Sequence, residues 1–453
     1  MEGRPLAPSR LAPRLRASEP VRSAILGRLI VGALAGPAAL APRLLVAQGD
    51  RPAPRLVVKA GHLLDVRTGQ WTDNAFIVVA GDRIVSVGST PPPGSLPVVD
   101  LSGSYVLPGL IDAHVHINDE PQLRGPDYHA ASAARFAILG VKNARKMIEA
   151  GFTAGRSLGN NYFSDVAVRD GINQGEIVGP RLQVSGPMVG GTGTHCDYTF
   201  LSPEFKYNDE GVADGAEGLI GKTRFAFKYG ADWVKFCASG GVSGRGTLPD
   251  DIHLSFEEMK AIVDEAHRRR KKATAHAHGT EAIKLAIRAG VESIEHGSLL
   301  DDEAIRMLKE HNVALVVDLY NGEWIIAHGA ENNFSAGSLA RAKVLHPYAV
   351  ASYKKALAAG VNIVFGTDAG TMPHGLTGRQ FATYVENGMP ALMAIQTATI
   401  RAAELLGWSD RIGTVEPGKF ADLIAVKANP LTEPNTLAAV TFVMKGGEVI
   451  KLR

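Results

Sequence analysis

The sequence predicts an α/β protein, a (β/α)8 TIM barrel carrying a small β-sandwich domain formed from both ends of the chain. Three observations predict it. Short apolar segments alternate with helix-period segments through the middle of the chain, eight times over. Strand-like segments with glycine turns flank that middle on both sides. Polar residues able to ligate metals fall at the ends of the short segments, where barrel sites lie. An open doubly wound sheet is the structural alternative. It usually needs fewer units, and no G-x-G-x-x-G follows the first strand of this middle.

The elements follow in order along 453 residues, a length that suits one large domain and one smaller. Residues 1–47 read as a signal or targeting segment. They hold seven arginines against Glu2 and Glu19, a surplus of five positive charges in a chain whose total is +2. An apolar run over 29–41 follows, and small residues before Gln48 would admit cleavage after Ala47. Export to the periplasm or medium is the expectation; a disordered basic tail or a misplaced start, with a cytoplasmic protein, is the other reading. The run is too short for a stable membrane span. With that net charge and no basic patch, nucleic acid is not an expected partner.

Residues 53–108 and 407–453 form the sandwich, from strands at 55–65, 75–88, 421–426 and 440–450, the last broken by a turn at Gly446-Gly447. Residues 109–406 form the barrel. Its strand candidates are 109–116, 152–158, 181–185, 233–238, 273–278, 293–296, 314–318 and 362–367. Between them lie amphipathic stretches such as 255–270, where Ser255 and Glu258 have the spacing of a capping box. The two cysteines, Cys196 and Cys237, are too few for a disulfide framework and are expected as small buried residues near the site.

The first barrel strand ends in His114-Val115-His116. Period-two spacing puts both imidazoles on one face, aimed at the barrel mouth. Lys235 lies on the fourth strand, His276 and His278 on the fifth, His296 on the sixth and Asp368 after the eighth. Each alone has an ordinary reading: an ion pair for the lysine, a helix cap for the aspartate. The ordered set points to metal chemistry. Arg156, on the second strand, either meets a substrate carboxylate or serves as a structural ion-pair partner.

The stretch Val106-Leu107-Pro108-Gly109-Leu110-Ile111-Asp112-Ala113-His114-Val115-His116 resembles the opening signature of amidohydrolases, and Gly413-Thr414-Val415-Glu416-Pro417-Gly418-Lys419 begins a run similar to their closing one. The resemblance implies two divalent metal ions, zinc by the character of the donors, with manganese or cobalt able to substitute. One metal is implied on His114, His116, Lys235 and Asp368, the other on Lys235, His276 and His296. Lys235 is implied to be N-carboxylated by CO2, because an ammonium would repel two dications and a carbamate does not. The metal pair would generate hydroxide, and Asp368 would accept the water proton and pass it to the leaving amine. The resemblance also implies a homo-oligomer.

The segments Gly193-Thr194-His195-Cys196-Asp197, Ala275-His276-Ala277-His278-Gly279 and Ser293-Ile294-Glu295-His296-Gly297 are similar to those of Xaa-Pro dipeptidases, Xaa-Arg/Lys metallocarboxypeptidases and ochratoxin-hydrolysing amidases. That implies cleavage of the amide joining an acyl or aminoacyl group to a C-terminal amino acid, with a small peptide or amide as the partner. His195, His278 and Tyr320 are the expected substrate contacts. One departure is Gly155-Arg156-Ser157, where many relatives have Arg-Asp. Imidazolonepropionases and nucleobase-type deaminases share the fold but use one metal and lack the bridging lysine; a deaminase would use Glu281, three residues after His278, as its base. A non-catalytic scaffold would have lost ligands that are all present here.

Overall fold

The computed structural model describes residues 56–197, 201–207, 209–244 and 246–452. The expected leader, 1–47, lies outside them.

Four strands open the described chain: β1 (Leu56–Leu64), β2 (Trp71–Ala80), β3 (Arg83–Gly88) and β4 (Val98–Pro108). Eight short parallel strands follow: β5 (Leu110–Val115), β6 (Phe152–Ser157), β7 (Arg181–Val184), β8 (Trp233–Cys237), β9 (Lys272–Ala277), β10 (Ser293–His296), β11 (Ala314–Val317) and β12 (Ile363–Phe365). The chain then returns through β13 (Leu423–Val426), β14 (Phe442–Lys445) and β15 (Glu448–Leu452).

The eight central strands form two arcs, β5-β6-β7 and β8-β9-β10-β11-β12. The arcs meet at parallel bridges, Val189 with Phe236 and Val115 with Ala369, which close the barrel. Apart from Arg181 and Gln183 of β7 and Lys272 of β9, which are half-buried, their residues are buried on both faces, the pattern expected of parallel strands covered by helices outside and packed side chains within. The strands run within a residue or two of the segments read from the sequence.

Helices separate the strands, and local chemistry sets their ends. The helix Phe256–Arg268 begins with a complete capping box, the Ser255 side chain accepting from Glu258 N–H while the Glu258 carboxylate accepts from Ser255 N–H. The helix Asp302–Glu310 is capped by Asp301, which accepts from Ala304 N–H. Among the described residues, no helix is long and apolar enough to cross a membrane.

The two flanking segments join in one seven-stranded mixed sheet, β15-β14-β13-β4-β1-β2-β3. It curls over itself. The edge at Arg83 pairs with Phe420, just ahead of β13, and Ala421 N–H donates to the Asp82 carbonyl. Ala60, Ile77, Ile84, Val106, Leu423 and Met444 thereby face one another in a core separate from that of the barrel, the layered arrangement expected of a small sandwich. Gly446 and Gly447, at φ 55° and 78°, make the tight turn between β14 and β15 that only left-handed residues allow.

Candidate metal centre

The barrel mouth gathers the polar residues. His114 near the end of β5, and His116 just beyond it, both point their Nε2 atoms at Asp368, 3.5 and 3.1 Å from Oδ1. The second nitrogen of each ring is engaged. His116 Nδ1 donates to the Gly159 carbonyl at 2.8 Å. His114 Nδ1 lies 3.0 Å from Glu295 Oε2. These contacts orient both rings with Nε2 inward, the role outer partners play around metal ligands.

On the opposite wall, His276 from β9 and His296 from β10 stand edge to face, ring centroids 4.7 Å apart. His276 Nε2 faces the Gly240 carbonyl at 3.2 Å, which leaves Nδ1 as its donor. His296 Nδ1 lies 3.0 Å from Asp318 Oδ1, which leaves Nε2. His278 stacks on His296 and is held by Ser298 Oγ at 2.8 Å. The Lys235 ammonium group, on β8, is 3.4 Å from His114 Nε2.

Among the described residues, three groups bring a donor atom from each member within 4.8 Å of the others: His114, His116 and Asp368; His276, His278 and His296; and His296, Asp318 and Asp368. Burial pushes His114 down to about 4, and drives His276 and His278 well below the ordinary value, each with neighbouring positive groups adding to it. These imidazoles are therefore neutral and offer lone pairs. Burial raises the Asp368 carboxyl, but the hydrogen bond with His116 and the imidazoles of His114 and His296 outweigh it and keep Asp368 ionised. Burial lowers His116 and His296 as well, but Asp368 and Asp318 outweigh it and raise both above the ordinary value, so these two rings would give up a proton to bind a metal. Imidazoles converging on a buried carboxylate fit divalent ions of zinc type.

His296 and Asp368 have φ of 74° and 55°. Left-handed backbone in non-glycine residues costs free energy and persists where surrounding structure enforces it. Around Asp368 that structure is a tight net. Asn321 Nδ2 donates to Asp368 Oδ2 at 3.0 Å, and Thr371 Oγ1 donates to the Asp368 carbonyl at 2.6 Å. Beneath it, Thr367 Oγ1 donates to buried Asp112 at 2.6 Å.

The cavity above has a volume of about 780 Å³. All six expected ligands line it, as do His195 and His278. His195 stacks on His276 with centroids 4.2 Å apart. Tyr320 does not line it. As the second residue of the helix Leu319–His328, it packs half-buried against the barrel core, and the next residue, Asn321, turns into the site instead.

Four further outcomes revise or settle the reading from sequence. Cys196 and Cys237 are buried beside the site but are not separate thiols: they form a disulfide that ties the loop carrying His195 to the strand carrying Lys235. Arg156 is fully buried and pairs with Glu295 at 2.7 Å, so it is a structural ion-pair partner with no access to substrate. Glu281 points outward to Lys284 with its side chain 61% exposed, away from any deaminase-type base position. Asp318 was missed as a site residue, although its place at the end of the seventh strand matched that of the ligands.

Residues 105–452 match the amidohydrolase family. An ochratoxinase of Aspergillus niger is 33% identical over 438 residues, covering 90% of this chain and 89% of that protein. The crystal structure of a Xaa-Pro dipeptidase with methionine bound in its active site is 34% identical with a TM-score of 0.79, covering 87% of this chain and 99% of that one. A prolidase complexed with N-methylphosphonate-L-proline is 29% identical with a TM-score of 0.81, covering 88% and 100%. Since the match runs from β4 to β15 and takes in the whole barrel mouth, the chain belongs to the amidohydrolase family and is a hydrolase.

Proposed function

We propose that the protein hydrolyses the amide bond to a C-terminal amino acid in dipeptides or N-acyl amino acids, ochratoxin A among them. The observation that carries this reading is the ionised, immobilised Asp368 facing two Nε2 atoms beneath a cavity of about 780 Å³, large enough for an acyl group and an amino acid together. The likeness to an ochratoxinase and to dipeptidases supports the substrate class.

His114, His116 and Asp368 would hold one ion, and Lys235 as its carbamate would bridge to a second on His276 and His296. When bound, such a pair polarises the scissile carbonyl and lowers the pKa of water. Asp368 removes a proton from the attacking water through its carboxylate and delivers it to the departing nitrogen. The hydrogen bond from Asn321 to Oδ2 holds that carboxylate in one orientation for both transfers. Burial brings Lys235 down to about 8, against the raising effect of Glu295 and Asp368. A neutral fraction of amine therefore exists near neutral pH to add to CO2, losing a proton as the N–C bond forms. His195 and His278 orient the substrate carbonyl or carboxylate.

Export belongs to the same proposal. The disulfide between Cys196 and Cys237 is of a kind that persists in oxidising compartments.

The test is release of free amino acid by the zinc-loaded protein from dipeptides, N-acyl amino acids and ochratoxin A, with Lys235→Ala as control. Release that is lost in the control supports the reading. No release from any member would overturn it in favour of cyclic amides or lactones. A second measurement bears on the wall of the site. A Cβ at Gly241 would lie 2.9 Å from His276 Nε2 and 2.7 Å from His195 Cε1. Gly241→Ala is therefore expected to displace these rings and lower kcat/KM by about 10²-fold, with the thermal midpoint little changed. An unaltered rate would mean that neither ring is held in place by this loop.

A further inference from the structure

The helix Ala336–Ala359 presents Ser338, Arg341, Ala342, Leu345, His346 and Ala349 to the cavity, a stripe in which Arg341 is the one fixed charge. That charge has unusual surroundings. Arg341 Nε donates to the Val242 carbonyl at 3.0 Å, and Nη2 donates to the Gly244 carbonyl at 2.6 Å and approaches Ser338 Oγ at 3.5 Å. Nη1 makes no hydrogen bond among the described residues, and no described carboxylate lies within ion-pair distance of the guanidinium.

Among the described residues, the other fixed cations lining the cavity are offset. Lys235 has Glu295 and Asp368 beside it. Arg124 lies over the Phe334 ring at 3.6 Å, within the field of Asp119. Burial and the nearby His253 bring His195 down to about 3, so it supplies a hydrogen bond and no charge. A half-buried guanidinium held in place by backbone carbonyls, with one nitrogen unspent and its charge unopposed among the described residues, is prepared for an anion.

We propose that Arg341 binds the carboxylate of the substrate's C-terminal amino acid and so makes a free carboxylate a requirement for efficient cleavage. The proposal rests on the amide-hydrolase reading above and names the group that enforces its carboxypeptidase character. The amino-acid side chain then lies along Leu345 and Ala349, one and two turns further on the same helix.

The experiment compares an N-acyl-phenylalanine with its C-terminal carboxamide in the wild type, Arg341→Met and Arg341→Lys. In the wild type, kcat/KM favours the acid, chiefly through KM. In Arg341→Met the acid-to-amide ratio is expected to fall by about 10- to 150-fold, the range for a charged hydrogen bond. Arg341→Lys should keep part of the preference, and it serves in place of the methionine variant should that one fail to fold. A ratio that survives in both variants, or a wild type with no preference for the acid, overturns the proposal and leaves Arg341 as a clamp on the 240–244 backbone.

Calorimetric titration with L-phenylalanine and L-phenylalaninamide separates the two readings. A wild type that cleaves nothing, yet binds the acid over the amide through Arg341, sinks the hydrolysis reading alone. Cleavage with an unmoved ratio sinks the Arg341 proposal alone.

Discussion

Asp368→Asn is expected to lower kcat by at least about 10³-fold, because in the proposed reaction one substitution would remove a proton carrier and an anionic metal ligand at the same position. The side chain keeps its shape, so the fold should persist. The net around it changes sign, however: Asn321 Nδ2 and Thr371 Oγ1 would face an amide that must present its oxygen to them, or its nitrogen. If the oxygen stays toward Asn321, the amide nitrogen faces the Nε2 lone pairs of His114 and His116, where its N–H groups occupy the positions an ion would take and it offers no lone pair of its own to a metal. Zinc content by mass spectrometry should therefore fall together with activity, while the circular dichroism spectrum stays that of the wild type. Activity within tenfold of wild type would mean that the proton is carried by another group.

Arg156→Met is expected to destabilise the protein by about 3–5 kcal/mol, the cost of leaving a buried charge without its partner. Arg156 and Glu295 are both fully buried. The guanidinium also donates to the Ala113 carbonyl at 2.7 Å and to Ser293 Oγ at 3.1 Å, and its carbon lies 4.4 Å from the centre of the Trp233 ring. Lysine cannot replace that fork, so Arg156→Lys should behave almost as badly.

The effect has a definite pH range. Burial raises the Glu295 carboxyl, but Arg156, His114 and Lys235 together hold it well below the ordinary carboxylate value of 4.5. A carboxyl depressed by folding stabilises the protein at neutral pH and loses that contribution on acidification. The gap between wild type and variant in urea denaturation, both stripped of metal, should be full at pH 7 and narrow only below about pH 4.5. Because Glu295 also backs His114, zinc affinity should drop by about 10- to 100-fold. A variant as stable as wild type at pH 7 would refute the ion pair's structural role.

The gathering of the polar side chains at the barrel mouth was legible in the sequence because strand geometry leaves little freedom. Two residues apart on a strand means one face, and the end of a barrel strand means the mouth; the placing of His114, His116, Lys235, His276 and His296 around the mouth followed from those two rules, and their roles toward a metal came from the resemblance to amidohydrolases. Tyr320 did not, since which residue of a helix's first turn enters the site depends on where the helix begins, and a shift of one position turns the side chain by about 100°. The pairing of Cys196 with Cys237 was equally hidden. The two are 41 residues apart, and their meeting depends on the path of a loop with no periodicity to read. Arg156 showed its strand but not its partner: the pair is made across the barrel interior to a residue 139 positions away. Arg341 carried no signal at all. Its meaning comes from what surrounds it, and a lone arginine on a helix most often faces water.

The mixed sheet has a consequence for the order of events during synthesis. β4 is flanked by β1, from its own end of the chain, and by β13, more than three hundred residues downstream. All eight strands of the barrel leave the ribosome while that side of β4, from Tyr105 to Pro108, still lacks its partner. The nascent protein thus carries an open strand edge for most of its translation time, and such an edge invites pairing with a neighbouring chain. The last strands to be made are the ones that remove the hazard, so an interruption of synthesis late in the message would leave a nearly finished barrel with its adhesive edge exposed.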